Sequence, residues 1–105
     1  MPRIIVLDDA EDELVAAEDW YEDQRAGLGV EFRAEVEAVV QGIASGTDVS
    51  RPVLDVTGVT GARKVAVRRF PYSVVFLPQG STVWILAFAH HRRRPGYWRG
   101  RVLPR

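Results

Sequence analysis

The apolar periodicity of this chain changes once along its length, and that change limits the folds open to it. From Leu28 to about Ala44, Phe32, Val36, Val39 and Ile43 recur at steps of four, three and four, with Glu31, Arg33, Glu35 and Glu37 elsewhere on the wheel. This is the stripe of an amphipathic helix. Upstream, Leu14, Ala17, Tyr21 and Gln24 keep helical spacing, with Trp20 beside them. Past residue 61 the pattern turns strand-like: Arg63–Arg69 alternates charge with valine, and Tyr72–Leu77 and Thr82–Ala89 are rich in β-branched and aromatic residues. Helices first and strands afterwards describe an α+β layer structure, not an alternating βαβ fold.

Local signals fill in the order. Arg3–Leu7 is β-branched and apolar, suited to a short strand. Asp8 or Asp9 then predicts a helix cap, with Glu11, Asp12 and Glu13 in the first turn, where the helix dipole favours negative charge. Gly27 ends this helix or bends the chain and Gly29 keeps the turn open, so the two helices form an antiparallel hairpin whose apolar face needs a sheet to cover it. Residues 45–61 read as a connection, with a short extended piece expected at Val53–Val56. Phe70-Pro71 separates two strands, and Pro78-Gln79-Gly80-Ser81 is a hairpin turn, giving a meander of three antiparallel strands. The nearly unbroken apolar run Thr82–Ala89 is expected to be buried on both faces. A chain of 105 residues suits one domain, 1–105.

Net charge is zero, but the total hides a division. Residues 1–50 hold three basic side chains against thirteen carboxylates, a net of −10, and residues 51–105 hold eleven against one, a net of +10. Such a split predicts a basic surface for a polyanion or an acidic partner; mutual neutralisation across the fold is the plainer alternative. With no cysteine, disulfides, thiolate metal sites and thiol nucleophiles are excluded. The apolar patch near the N-terminus is too short for a signal core or a membrane span, so a cytoplasmic location without membrane contact is expected.

Positive charge concentrates in the segment His90-His91-Arg92-Arg93-Arg94-Pro95-Gly96-Tyr97-Trp98-Arg99-Gly100-Arg101. Guanidinium groups pair with phosphate oxygens and aromatic faces stack on bases, so Arg92, Arg93 and Arg94 are nucleic-acid candidates, whereas Trp98 reads better as folding back onto the core. Adjacent histidines on a strand point to opposite faces: His90 reads as structural and His91 as the candidate for proton transfer. Two histidines with no nearby third ligand do not make a metal site, and neither metal nor cofactor is expected. In the Arg63–Arg69 run, period two puts Lys64 and Arg68 on one face and Arg63 and Arg69 on the other, unless a bulge intervenes. The bland reading of each is a solvent-facing strand residue.

The layout, with WYEDQRAGLGVEF, VRRFPYSVVF and ILAFAHHRRRPGYW, resembles the RelE/ParE superfamily of bacterial type II toxins, some of them labelled plasmid-stabilisation proteins. The resemblance spans nearly the whole chain. It implies a two-helix antiparallel hairpin packed on a small, mainly antiparallel sheet, a cognate antitoxin as partner, and growth inhibition when the toxin is free.

Two targets are implied by the two branches. RelE-like toxins cleave mRNA in the ribosomal A site; the resemblance then assigns Lys64 and Arg68 to phosphates, Arg92 to transition-state charge and Tyr97 or His91 to proton transfer, with Arg63, Arg69, Arg93 and Arg94 as nucleic-acid contacts. Against that pattern, a second lysine position falls on Ala66 and an arginine position on Ser73, and the Arg92-to-Tyr97 separation is one residue short. ParE-like toxins inhibit DNA gyrase by contact, and Ile85–Arg93 is similar to the ending of their final strand, with extra residues before the histidine. The basic, aromatic C-terminal segment tips the expectation slightly to ribosome-dependent endoribonuclease; the gyrase inhibitor and an inactive interaction module are the alternatives.

Overall fold

The computed structural model describes residues 2–47, 51–52 and 61–101. Strand β1 (Arg3–Val6) leads into helix α1 (Asp8–Gln24) and helix α2 (Leu28–Ser45), followed by β2 (Arg51–Pro52), β3 (Arg63–Ala66), β4 (Tyr72–Gln79) and β5 (Thr82–His90), then a 3₁₀ turn at Tyr97–Gly100. The strands form one five-stranded sheet in the order β1-β5-β4-β3-β2. β1 runs parallel to β5 and the other pairs are antiparallel, so the first strand joins beside the last. The extended piece expected at Val53–Val56 lies outside the described residues. No described helix is long and apolar enough to cross a membrane.

The two helices bury the stripes that their sequences carry. Ala10, Leu14 and Ala17 of α1 and Phe32, Val36, Val39 and Ile43 of α2 are buried, while Trp20, flanking the stripe, is 58% exposed. Helix α1 starts with Leu7 as its extended cap residue and no side-chain cap, so the predicted Asp8 or Asp9 cap does not form. The carboxylates of Asp8, Asp9 and Glu11 sit inside the first turn instead, where they face the positive end of the dipole. The start of α2 is capped from the preceding helix: Glu22 accepts from the amides of Gly27 (2.7 Å) and Gly29 (3.0 Å). At Gly29 the helices come so close that an added Cβ would lie 2.6 Å from the Glu18 carbonyl oxygen. Arg33 closes the same contact with a two-pronged hydrogen bond to Glu18, at 2.9 and 3.3 Å.

Phe32 anchors the hairpin to the sheet. It is fully buried, which is worth roughly 2–3 kcal/mol of transfer free energy. Its ring centroid lies 5.0 Å from Tyr21, 5.1 Å from Phe70 and 5.2 Å from Tyr72, the last two edge-to-face, a favourable arrangement of aromatic quadrupoles. On β5, Val83, Ile85, Leu86, Ala87 and Phe88 are buried, as a strand covered on both faces requires. On β4 a bulge between Val75 and Phe76 accompanies the unbroken burial of Ser73 to Phe76.

The strand expected over Arg63–Arg69 stops at Ala66. Arg69 takes a left-handed backbone, φ 73°, which a β ladder does not accommodate. Its guanidinium is drawn to α2, reaching Glu31 at 3.0 Å and Glu35 at 3.8 Å. The period-two pairing of Lys64 with Arg68 therefore does not extend along one strand, because Arg68 sits in the β3–β4 connection.

Candidate functional site

Cross-strand register sorts the sheet into two faces. Val65, Val74 and Phe88 are in line across β3, β4 and β5, and so are Ala66, Ser73 and Ala89 one step along. Tyr72, which packs on Phe32, shares the helix-covered face with Val74, so Ser73 and Ala66 point to the other. The chain beyond β5 folds over that second face and buries Trp98 to 4% exposure, as its reading as a core residue anticipated. Between this segment and the sheet lies a cleft of about 630 Å³ with Lys64, Ser73, His91, Arg93, Arg94 and Tyr97 in its lining.

The two histidines, His90 ending β5 and His91 opening the turn that follows, both contribute to the cleft lining but engage different partners. His90 packs edge-on against Tyr72 at 5.0 Å, and its Nδ1 accepts from the Arg92 amide at 3.0 Å, which holds the turn after β5. His91 faces the cleft, with its Nε2 3.1 Å from the Ser73 hydroxyl, a buried polar group that this contact satisfies. Lys64 lies in the lining on β3, across from Val75. Arg92 is exposed on the turn, Arg63 is half-buried on β3, and neither these two nor Arg68 and Arg69 line the cleft. The structure thus gathers Lys64, His91, Arg93, Arg94 and Tyr97 and leaves Arg63, Arg68, Arg69 and Arg92 apart.

Tyr97 is not a loose aromatic at the end of a basic tail. Its hydroxyl donates to Glu13 Oε2 in a short hydrogen bond, and burial, followed by that bond, pushes its ionisation well above the ordinary phenol range. The same carboxylate receives Arg101 through both terminal nitrogens, at 2.8 and 2.9 Å, and the Phe88 amide at 3.1 Å. Arg101 also donates to the Leu86 carbonyl at 2.7 Å. β1 pairs with β5 only as far as Ile85, so on that side Leu86 and Phe88 have no neighbouring strand; Glu13 and Arg101 supply the missing acceptor and donor. Arg93 lies over the Tyr97 ring, 4.0 Å from its centroid, and Arg101 5.2 Å from it.

Sequence reading missed Glu13 and Arg101. Glu13 is one of several carboxylates at the start of α1, and nothing in its spacing separates it from Asp12 or Glu11. Ser73 entered that reading only as the place of an absent arginine. Among the described residues no group of three His, Cys, Asp or Glu is placed to hold a metal.

A helical hairpin on one face of a small mixed sheet is the α+β fold of a ParE-like toxin. Residues 4–95 match the family model described as the ParE toxin of the type II toxin–antitoxin system parDE. The chain belongs to that family. A solved structure described as "Chromosomal ParDE TA system from P. aeruginosa" shares the fold, with a TM-score of 0.71 at 20% identity, over 86% of this chain and 96% of that one. Among curated proteins there is no match.

Proposed function

We propose that this protein arrests growth by contact with DNA gyrase, and that a cognate antitoxin neutralises it by covering the cationic cleft. The observation that carries this reading is the commitment of the Tyr97 hydroxyl to Glu13. A phenol held there, with its ionisation raised, is a poor proton shuttle at neutral pH. Ala66 and Ser73, where a nuclease would place cations, add none. What remains in the lining is Lys64, Arg93 and Arg94, point charges suited to steering and holding an acidic protein surface. Membership of the ParE family supports the same target, which would place the protein in the cytoplasm. Purified protein added to gyrase is expected to inhibit supercoiling at stoichiometric concentration; unchanged supercoiling would count against the proposal.

One observation favours ribosome-dependent mRNA cleavage as a second reading: an imidazole, His91, stands in a cleft that already holds Lys64 and two arginines. There His91 would move the proton and Lys64 would hold a phosphate, whereas Arg68 and Arg92, expected from the sequence to hold phosphate and stabilise the transition state, lie outside the cleft. Mapping mRNA 5′ ends in arrested cells separates the two, since new ends within coding regions arise only from cleavage. Neither supercoiling inhibition nor new ends would leave an interaction module that only binds its antitoxin.

A further inference from the structure

The orientation of one cleft cation depends on a carboxylate outside the cleft. Arg93 and Tyr97 both line the cleft, and the Arg93 guanidinium carbon sits 4.0 Å from the Tyr97 ring centroid. A cation over an aromatic face loses much of the rotamer freedom of an arginine in water, so the ring decides where that charge is presented. The ring in turn is tethered at its hydroxyl to Glu13, which is anchored by Arg101 and by the Phe88 amide of the sheet. Glu13 is only 17% exposed and directly precedes the buried Leu14 on α1, so the packing of that helix holds its backbone in place.

We infer that Glu13 is a positioning residue that acts through Tyr97 to aim the Arg93 guanidinium at the cleft, where it receives a carboxylate of an acidic protein surface. The link runs from helix α1 through one hydroxyl and one ring to a charge on the far side of the sheet edge. It explains why a tyrosine in this segment has its hydroxyl turned inward while its ring faces the basic side. The functional part of the inference rests on the contact reading above; the positioning part does not.

Two measurements on the full chain keep these parts distinct. In NMR spectra the Arg93 Nε–H and δ-methylene protons are expected upfield of ordinary arginine positions, because they lie in the ring current of Tyr97. Tyr97→Phe removes only the hydroxyl, and Glu13→Gln removes the charge. In both variants the upfield displacement is expected to be largely lost, with far-ultraviolet circular dichroism unchanged. Arg93 resonances that stay displaced in a folded Tyr97→Phe protein would overturn the positioning role. In the supercoiling assay, Arg93→Ala and Glu13→Gln are each expected to raise the half-inhibitory concentration about tenfold, and the double variant no further, since residues acting in one chain are not additive. Additive losses would also overturn it. Inhibition insensitive to Arg93→Ala, with the resonance shift lost as expected in Tyr97→Phe, would remove gyrase contact from the cleft while the positioning of Arg93 stands.

Discussion

Glu13 and Arg101 lie 88 positions apart and meet through two parallel N–H···O bonds of 2.8 and 2.9 Å, with their side chains only 17% and 15% exposed. Two charges removed from water to this extent stabilise the fold only while both are present and hydrogen-bonded. Arg101→Met leaves the Glu13 carboxylate with the Phe88 amide and the Tyr97 hydroxyl alone, and also orphans the Leu86 carbonyl. A loss of about 2–4 kcal/mol is expected in urea unfolding. Replacing both residues with apolar ones should recover part of that loss, because the uncompensated charge is then gone.

Gly29→Ala tests the closeness of the hairpin. Helix propensity alone favours alanine by about 1 kcal/mol. The new methyl, however, would meet the Glu18 carbonyl oxygen at 2.6 Å, a backbone atom that cannot rotate away. Overpacking of this kind costs about 1–3 kcal/mol, so a lower melting temperature is expected by differential scanning calorimetry.

Acid weakens the contact between the helices in a defined direction. The hydrogen bond from Arg33 holds the Glu18 carboxyl below its usual range, with desolvation opposing and the guanidinium charge assisting. A carboxylate with a depressed folded pKa contributes stability that is present above its unfolded value, about 4.3, and lost as pH falls through the folded value. Both partners are 30% exposed, so the contribution is on the order of 0.5 kcal/mol. Stability curves of Glu18→Gln and the parent protein should converge below about pH 4 and separate above it.

Alkali acts through the tyrosines. Burial raises the ionisation of Tyr21, Tyr72 and Tyr97 above the ordinary phenol range, and these are all the tyrosines in the chain. A raised folded pKa gives stability that is complete below about pH 10 and lost as pH rises through the folded values. Absorbance titration at 295 nm should therefore show little phenolate in the native protein at about pH 10, with ionisation appearing together with unfolding at higher pH. Tyr97→Phe should reduce the amplitude of that rise by the share of one phenol in three.

Charge position, not charge count, is expected to govern inhibition. Arg69 is engaged by Glu31 and Glu35 and lies outside the cleft, so Arg69→Ala should change gyrase inhibition by less than about twofold, in line with the small worth of exposed ion pairs. Lys64→Ala and Arg94→Ala remove charges from the cleft lining and should each weaken inhibition about tenfold, more at low ionic strength than at high.

The sequence by itself determined the elements and the layer they form. Phe32, Val36, Val39 and Ile43 are buried where the helical spacing put them, and Thr82–Ala89 is an interior strand because a continuous apolar run has no polar face to expose. Local periodicity suffices for this, since each residue's burial follows from its neighbours a few positions away. The site depended on contacts that no local pattern encodes. Only the tertiary structure chose Glu13 from a run of carboxylates, because its distinction is to lie beside the stretch of β5 that β1 leaves unpaired. Only the fold drew Arg69 to α2 and left Lys64, Arg93 and Arg94 in the cleft, since a charge seeks partners across space with no periodicity to announce them.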